Sequence, residues 1–230
     1  MKVVAILQAR MNSTRLPGKM LLPLAGAPLV QRVIERAHRA NRINEVVLAF
    51  PVNDYESFRY VQQTDCALYP YPGDENDLVG RYLGAALAYG ADVIVRIPCD
   101  NPCLDPFYID AAIEEYLTYP FVYYSNTTDV AEVGSKMRMV DGIGAEVVSI
   151  SRLKWLDGIT QGQPELREHP HRYFEQCGLL QLPRADLRLD VNTQADYDFI
   201  KNLYNAIYPT NPTFTITDVL AYLDTKKAPA

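Results

Sequence analysis

The sequence predicts a single α/β domain whose central sheet is mainly parallel. In the first 125 residues, short apolar runs alternate several times with amphipathic segments, a pattern typical of parallel strands joined by helices. The 230 residues fall near the top of the single-domain range, and no low-complexity linker divides them, so residues 1–230 are treated as one domain. A hydrophobic fraction of 48% and a charged fraction of 22% exclude a disordered or collagen-like chain.

Each predicted element of this half has a local signal. The strands are short runs rich in β-branched and apolar residues: 2–7, 45–50, 67–69, 92–97 and 121–125. Helices are predicted over residues 28–37, 54–63, 75–89 and 106–119. Pro28 suits the first position of a helix, and Gly90 suits a helix end. Residues 8–26 are rich in Arg, Gly and Pro without periodicity, which indicates a long loop after the first strand.

The pattern changes after Asn126. Residues 127–143 are polar and contain glycine, which indicates a flap or hairpin. Strands are predicted over 145–150 and 187–191, and helices over 165–177, 195–207 and 217–223. Thr193 followed by Asp196 resembles a capping box at the start of the 195–207 helix.

Charge and cysteine content narrow the classes of function. A net charge of −6 argues against a general nucleic-acid-binding protein. The apolar runs are too short to span a bilayer, and the first residues do not resemble a signal peptide. The four cysteines are expected to be reduced thiols of a cytoplasmic protein. Cys99 and Cys103 are four residues apart, but no second Cys/His pair has zinc spacing, so packing is the favoured interpretation.

The strongest local signal is the loop that follows the first strand, residues 8–19. It carries Arg10, Arg15 and Lys19 among hydroxyl-bearing and small residues in an otherwise acidic chain. Such a loop can bind a polyphosphate through backbone N–H groups and cations. The alternative is a solvated loop whose arginines pair with surface acids. The segment is neither GxxxxGK[ST] nor GxGxxG, and the missing glycines disfavour a nicotinamide oxidoreductase.

Residues 5–37, AILQARMNSTRLPGKMLLPLAGAPLVQRVIERA, closely resemble the N-terminus of the cytidylyltransferases that make CMP-activated sugar acids. The resemblance is strongest to the branch that includes spore coat polysaccharide biosynthesis protein F. Further segments are similar in order and spacing: 73–82, 93–102, 141–147, 167–169 and 188–193. The resemblance implies a Rossmann-like, GT-A-like nucleotidyltransferase fold, a three-layer α/β/α sandwich. It also implies attack of an acceptor on the α-phosphate of CTP, with Mg²⁺ present and pyrophosphate released.

The same resemblance assigns roles to residues of this chain. Arg10 and Lys19 are expected to hold the β- and γ-phosphates and, with Asp100, to form the catalytic set. The expected nucleotide-binding residues are Leu7, Ala9, Arg10, Ser13, Thr14, Arg15, Gly18, Lys19, Gly73 and Asp77.

Asp100 matches the family's metal-binding aspartate. Asn192 stands where the family has a second one, and Asp190, two residues earlier, is the candidate replacement carboxylate. In this interpretation Asn192 is a neutral oxygen ligand or holds a water molecule. The expected acceptor-binding residues are Asp141, Gly142, Glu146, Glu168 and His169. By analogy with similar folds, residues 127–163 are expected to form a flap and dimerisation insertion of a homodimer.

The leading hypothesis is therefore a Mg²⁺-dependent cytidylyltransferase that makes a CMP-linked sugar acid, or a related product, for surface polysaccharide synthesis. Its expected partners are CTP and a small-molecule acceptor, without nucleic acid or membrane. Two enzyme alternatives remain open: a nucleotidyltransferase that uses another NTP and a glycosyltransferase of similar fold. A non-catalytic nucleotide-binding or scaffolding protein is the third alternative, because Asn192 replaces a carboxylate of the family and Cys99 replaces a glycine beside Asp100.

Overall fold

The central feature of the protein, described here from a computed structural model, is a six-stranded sheet. The structure describes residues 1–119, 124–125, 140–168, 182, 184 and 187–227. The strands of the sheet are β1 (Val3–Gln8), β4 (Glu45–Pro51), β5 (Ala67–Tyr71), β6 (Val93–Pro98), β7 (Tyr124–Ser125) and β8 (Glu146–Ser149). A separate short antiparallel pair, β2 (Pro23–Leu24) and β3 (Ala27–Pro28), lies in the segment after β1.

Helices connect and flank these strands. They are α1 (Leu29–Ala37), α2 (Tyr55–Phe58), α3 (Leu78–Ala88), α4 (Pro106–Thr118), α5 (Ile150–Ile159), α6 (Pro164–Glu168), α7 (Gln194–Ile207) and α8 (Ile216–Lys227). None of the helices in the described ranges is long and apolar enough to cross a membrane. The capping box is confirmed, since Thr193 Oγ1 accepts from the Asp196 N–H and the Asp196 carboxylate accepts from the Thr193 N–H.

The order of the strands in the sheet is β5-β4-β1-β6-β8-β7. Strand β1 pairs in parallel with β4 and β6, and β4 pairs in parallel with β5, whereas β8 is antiparallel to β6 and β7. The chain order therefore reverses direction at β1. In open α/β sheets, ligands bind beyond the carboxyl ends of the strands at such a reversal. This topology directs attention to the ends of β1 and β6, at Gln8 and Pro98.

Both faces of the sheet are covered. Alternation along β1 sends Val3, Ala5 and Leu7 into a core that includes residues of α1, α4 and α7, while Val4 and Ile6 enter a core with α3 and α5. These β1 side chains are at most 5% exposed. The predicted three-layer α/β/α arrangement with a mostly parallel sheet is confirmed.

Two predicted elements were wrong in detail, and one helix was not predicted. Residues 54–63 do not form one surface helix. They form the short helix α2 between 3₁₀ segments, and Phe58 is buried against Phe50 with 5.0 Å between ring centroids. Residues 187–191 do not form a strand. Arg188 makes a single bridge with Asp141, and the Val191 N–H is donated to the carbonyl of Asp100. Helix α5 is absent from the sequence-based prediction.

The predicted insertion at residues 127–163 is described only in part. Its residues 146–149 lie in the central sheet, and α5 packs on the α3 side of that sheet. Trp155 and Ile159 on α5 are 45% and 42% exposed. The role of the segment in dimerisation stays a prediction, and residues 127–139 lie outside the described residues. Cys66, Cys99 and Cys103 are buried free thiols.

Candidate active site

A polar cavity of about 150 Å³ lies at the carboxyl ends of β1 and β6, where the strand order reverses. It brings together residues that are far apart in the sequence: Gln8, Arg10, Ser13, Thr14, Arg15, Lys19, Met20, Pro98, Asp100 and Asn192. Seven of the residues predicted for nucleotide, catalytic or metal roles are among them. The loop after β1 therefore forms one wall, and the segments after β6 and before α7 complete the cavity.

The loop after β1 is fixed by its own backbone. The Met11 carbonyl accepts hydrogen bonds from the N–H groups of Ser13 (3.0 Å) and Gly18 (3.1 Å), and the Met11 N–H is donated to Asp54 Oδ2 (2.9 Å). Gly18 has φ = +71°, which favours glycine and leads into the 3₁₀ turn that begins at Lys19. Predicted residues Leu7 and Ala9 are buried beneath the loop.

Each of the three loop cations is held by a partner from another segment. Arg10 Nη1 donates to Asn76 Oδ1 at 2.7 Å, and Arg15 Nη2 donates to Asn192 Oδ1 at 2.6 Å. Neither of these bonds neutralises the cation, because the acceptor is an uncharged amide. The guanidinium groups therefore keep their charge for an anionic ligand. In the alternative interpretation, a solvated loop, the arginines would pair with surface acids. Both of these arginines instead donate to an asparagine.

Lys19 occupies the innermost position. Its side chain is 8% exposed, and Nζ donates to Asp100 Oδ2 and to the Val191 carbonyl, each at 2.8 Å. The Asp100 side chain remains 26% exposed towards the cavity. A buried ammonium with two fixed acceptors is oriented before any ligand arrives, so binding a phosphate would require little reorganisation.

The residues around Asp100 fit a Mg²⁺ ion that is held jointly with a substrate. Mg²⁺ is commonly bound by one or two carboxylates together with phosphate oxygens. Asp100 and Asn192 both line the cavity, and the Asn192 amide oxygen accepts from Arg15 there. No group of three or more His, Cys, Asp or Glu side chains is poised for a metal in the part of the chain that the structure describes. The donor set therefore fits a site completed by phosphate rather than an all-protein cage.

Asp190 is turned away from this position. It is 7% exposed, accepts two hydrogen bonds from Arg188, at 3.2 and 3.0 Å, and also accepts from the Asn192 amide. These contacts raise the pKa of Arg188. A direct role of Asp190 as the replacement carboxylate stays a prediction, since Arg188 neutralises the group in this arrangement.

Asp77, predicted to bind nucleotide, is not among the residues that line the cavity and instead holds a neighbouring segment in place. Its carboxylate caps α3 through the Gly80 N–H at 2.8 Å and accepts from Arg167 at 2.8 and 3.0 Å and from the Tyr71 hydroxyl at 2.8 Å. Its neighbour Asn76 is the partner of Arg10. Asp77 thus fixes the 73–77 segment beside the loop. Gly73 lies against Tyr71 so closely that an added Cβ would lie 2.5 Å from the ring.

Replacing Asp77 by asparagine is expected to lower the free energy of unfolding at pH 7 by about 2 kcal/mol, because a cap and an ion pair are weakened together. Burial alone raises the pKa of Asp77, but hydrogen bonds from Arg167, Gly80 and Tyr71 outweigh it, and the pKa is lowered overall. A lowered pKa stabilises the fold above about pH 4, the ordinary value, and this contribution disappears as pH falls through the native value.

Urea unfolding of the wild type and Asp77→Asn at pH 7, 5, 4 and 3 checks this. The difference between the two proteins should be constant from pH 7 to 5 and shrink below about pH 4. Glu56→Gln is the matched control, because Glu56 makes an ion pair in which both side chains are at least 65% exposed. A difference that persists undiminished at pH 3 would contradict the role given to the Asp77 charge.

The residues predicted for the acceptor do not converge on the cavity as a group. Asp141 is half-exposed and pairs with Arg188 at 3.4 Å. Gly142 has φ = +88°, and an added Cβ would lie 2.8 Å from the backbone of Leu189 and Asp190. Glu146 is buried in an ion pair with Arg96 rather than open to a ligand. Glu168 ends α6, and His169 lies outside the described residues.

Sequence reasoning missed two features of the site. Gln8, Met20 and Pro98 also line the cavity, although they were given no role. Arg81 is completely buried, and its guanidinium donates to the carbonyls of Ala9 and Glu75, which joins the loop after β1 to the 73–77 segment. The end of a buried strand marks Gln8 as a candidate, but no local pattern reveals the contacts of Arg81.

The chain is similar to known proteins over most of its length. A family model described as cytidylyltransferase matches residues 4–211 of the chain. Spore coat polysaccharide biosynthesis protein SpsF of Bacillus subtilis is 29% identical over 216 residues, which is 88% of this chain and 86% of that protein. The 3-deoxy-manno-octulosonate cytidylyltransferase of Trichlorobacter lovleyi is 35% identical over 120 residues, but this match spans 52% of this chain and 47% of that enzyme.

A solved structure shows the same fold over nearly the whole chain. The cytidylyltransferase from Leptospira borgpetersenii superposes with a TM-score of 0.82 at 25% sequence identity, covering 99% of this chain and 95% of that one.

Proposed function

The chain belongs to the cytidylyltransferase family, and from this we propose that it transfers CMP from CTP to a sugar acid or a related acceptor, with release of pyrophosphate. The observation that carries the proposal is the arrangement of Lys19 and Asp100, 2.8 Å apart in a cavity that Arg10 and Arg15 also line. This cavity can surround a triphosphate with positive charge and place a carboxylate beside it.

The residues that would act on the reaction have distinct tasks. Arg10 and Lys19 would bind the β- and γ-phosphates and stabilise the charge of the leaving pyrophosphate. Ser13 and Thr14, whose side chains line the same wall, would donate hydrogen bonds to phosphate oxygens. Little covalent chemistry falls to the protein, because positioning and charge neutralisation account for most of the catalysis in phosphoryl transfer.

Asp100 would hold Mg²⁺ beside the phosphates, and the Asn192 amide oxygen would join it once Arg15, which donates to that oxygen, turns to a phosphate. When bound, the ion would neutralise phosphate charge and polarise the α-phosphate towards attack. Asn192 carries no charge, so this site is expected to bind Mg²⁺ weakly without the nucleotide and more tightly with it.

The named relatives support the choice of acceptor and biological setting. One is a spore coat polysaccharide biosynthesis protein, and another is a cytidylyltransferase for 3-deoxy-manno-octulosonate, a sugar acid. Surface polysaccharide synthesis, a cytoplasmic location and a homodimer are further parts of the proposal. Buried free thiols at Cys66, Cys99 and Cys103 suit a reducing compartment.

Pyrophosphate release with each of the four NTPs, in the presence of Mg²⁺ and a panel of sugar acids and polyols, tests the proposal. We expect release with CTP and one class of acceptor, and a stabilisation of about 2.7 kcal/mol by CTP at 100 times its Kd. Binding and turnover of a different NTP would contradict the assignment of CTP.

The second candidate is a non-catalytic nucleotide-binding protein. Asn192 in place of a carboxylate, and Asp190 neutralised by Arg188, favour it specifically. The same assay separates the two functions, because this candidate binds CTP and releases no pyrophosphate with any acceptor.

A further inference from the structure

Gln8 is the last residue of β1, and its side chain lines the cavity next to the loop cations. Its carbonyl oxygen Oε1 accepts a hydrogen bond of 2.7 Å from the hydroxyl of Tyr82, which lies 74 residues further along the chain on α3. With Oε1 occupied by this bond, the Nε2 amino group is the part of the amide that is left to meet a ligand.

Tyr82 is held in place by burial and by Arg96. It is 2% exposed, and the guanidinium of Arg96 lies 5.6 Å from the centre of its ring. Arg96 in turn forms the ion pair with Glu146. Burial raises the pKa of Tyr82, and its protonated hydroxyl donates to Gln8 Oε1. Glu146, predicted to contact the acceptor, is thus linked to the cavity through Arg96, Tyr82 and Gln8.

We propose that Gln8 is a further nucleotide-binding residue, whose Nε2 group donates to a phosphate oxygen of the bound nucleotide, and that Tyr82 is a positioning residue that fixes the orientation of this amide. The phosphate is the partner that the surroundings favour, because Arg10, Ser13, Thr14, Arg15 and Lys19, the other donors around the cavity, suit phosphate oxygens. The inference rests on the proposed function.

The test measures the Kd of CTP, and of inorganic tripolyphosphate, by calorimetry for the wild type, Gln8→Ala, Gln8→Glu and Tyr82→Phe. Gln8→Ala should weaken both ligands by a similar factor of about ten, the loss of one hydrogen bond to a charged group. Gln8→Glu keeps an oxygen for Tyr82 but replaces the donor by a negative charge, so it should weaken CTP by about a hundredfold.

Tyr82→Phe should weaken CTP by about threefold in the wild-type background and leave the Kd unchanged in the Gln8→Ala background, because its effect passes through Gln8. Tyr89→Phe is the matched control, since the Tyr89 hydroxyl donates to the Leu68 carbonyl outside the cavity. Gln161→Glu, at an exposed position, controls for the added charge. Thermal unfolding of each variant separates a loss of binding from a loss of folded protein.

Wild-type affinity for both ligands in Gln8→Ala, with CTP bound normally by the wild type, would overturn this inference and leave the proposed function standing. A loss confined to CTP would overturn the phosphate contact, and equal effects of Tyr82→Phe in both backgrounds would overturn the positioning role. Failure of the wild type to bind any nucleotide would remove both proposals.

Discussion

Replacing Lys19 by methionine is expected to lower kcat/KM for pyrophosphate release from CTP by about 10³-fold, the size of effect seen when a preorganised charge donor is removed. Methionine is unbranched and one atom shorter, so it keeps most of the apolar contacts but cannot donate to a phosphate. The ammonium of Lys19 is 8% exposed and already oriented by Asp100 and the Val191 carbonyl, so neither water nor a mobile side chain can readily replace it.

Steady-state assays with purified Lys19→Met check this, with Lys2→Met as the matched control. Lys2 donates to the Tyr89 carbonyl and pairs with Glu45 near the start of β1, away from the cavity. The control should keep wild-type kinetics. Lys19→Met leaves the Asp100 carboxylate and the Val191 carbonyl without their donor, so its unfolding transition is measured as well. A folded Lys19→Met protein with wild-type kcat/KM would contradict the assignment of Lys19.

Replacing Asp100 by asparagine is expected to lower kcat by about 10²-fold or more while CTP still binds. The carboxylate belongs to a 26% exposed side chain that lines the cavity, and its loss removes a charged ligand of Mg²⁺. Without Mg²⁺, the variant should bind CTP at least as tightly as the wild type, because one negative charge no longer opposes the triphosphate.

Calorimetric titration of CTP with and without Mg²⁺ provides a readout besides activity. In the wild type Mg²⁺ should tighten CTP binding, and in Asp100→Asn this gain should largely disappear. Asp198→Asn, an exposed position on α7, serves as the control for loss of a negative charge. An undiminished effect of Mg²⁺ in Asp100→Asn would place the metal elsewhere.

The core of the fold was predictable because its signals are local. Apolar runs such as 2–7 and 92–97 are short, buried on both faces and separated by amphipathic segments, so the parallel sheet follows from alternation alone. The single surface helix predicted over 54–63 was wrong because Phe58 is buried against Phe50, a tertiary contact that the local pattern does not show. Helix α5 carries no clear apolar stripe, although Ser149 does cap its start.

In the candidate site, too, the features with a local sequence signal were predictable and those that depend on tertiary contacts were not. The loop from Arg10 to Lys19 is a local cluster of charge in an acidic chain, and five of its residues line the cavity. The segment 187–191 resembles a strand, yet the Val191 N–H and carbonyl are bonded to Asp100 and Lys19 instead of a neighbouring strand. Asp77 pairs with a residue 90 positions away, a separation that no sequence pattern encodes.

The measurement that tests the central claim most directly is a crystal structure of the protein with CTP and Mg²⁺. The account predicts the triphosphate in the cavity after β1, with Arg10 and Lys19 within hydrogen-bond distance of its terminal phosphates and Asp100 bound to the metal. Nucleotide density at any other place on the chain, or a triphosphate in this cavity that Lys19 does not touch, would contradict it.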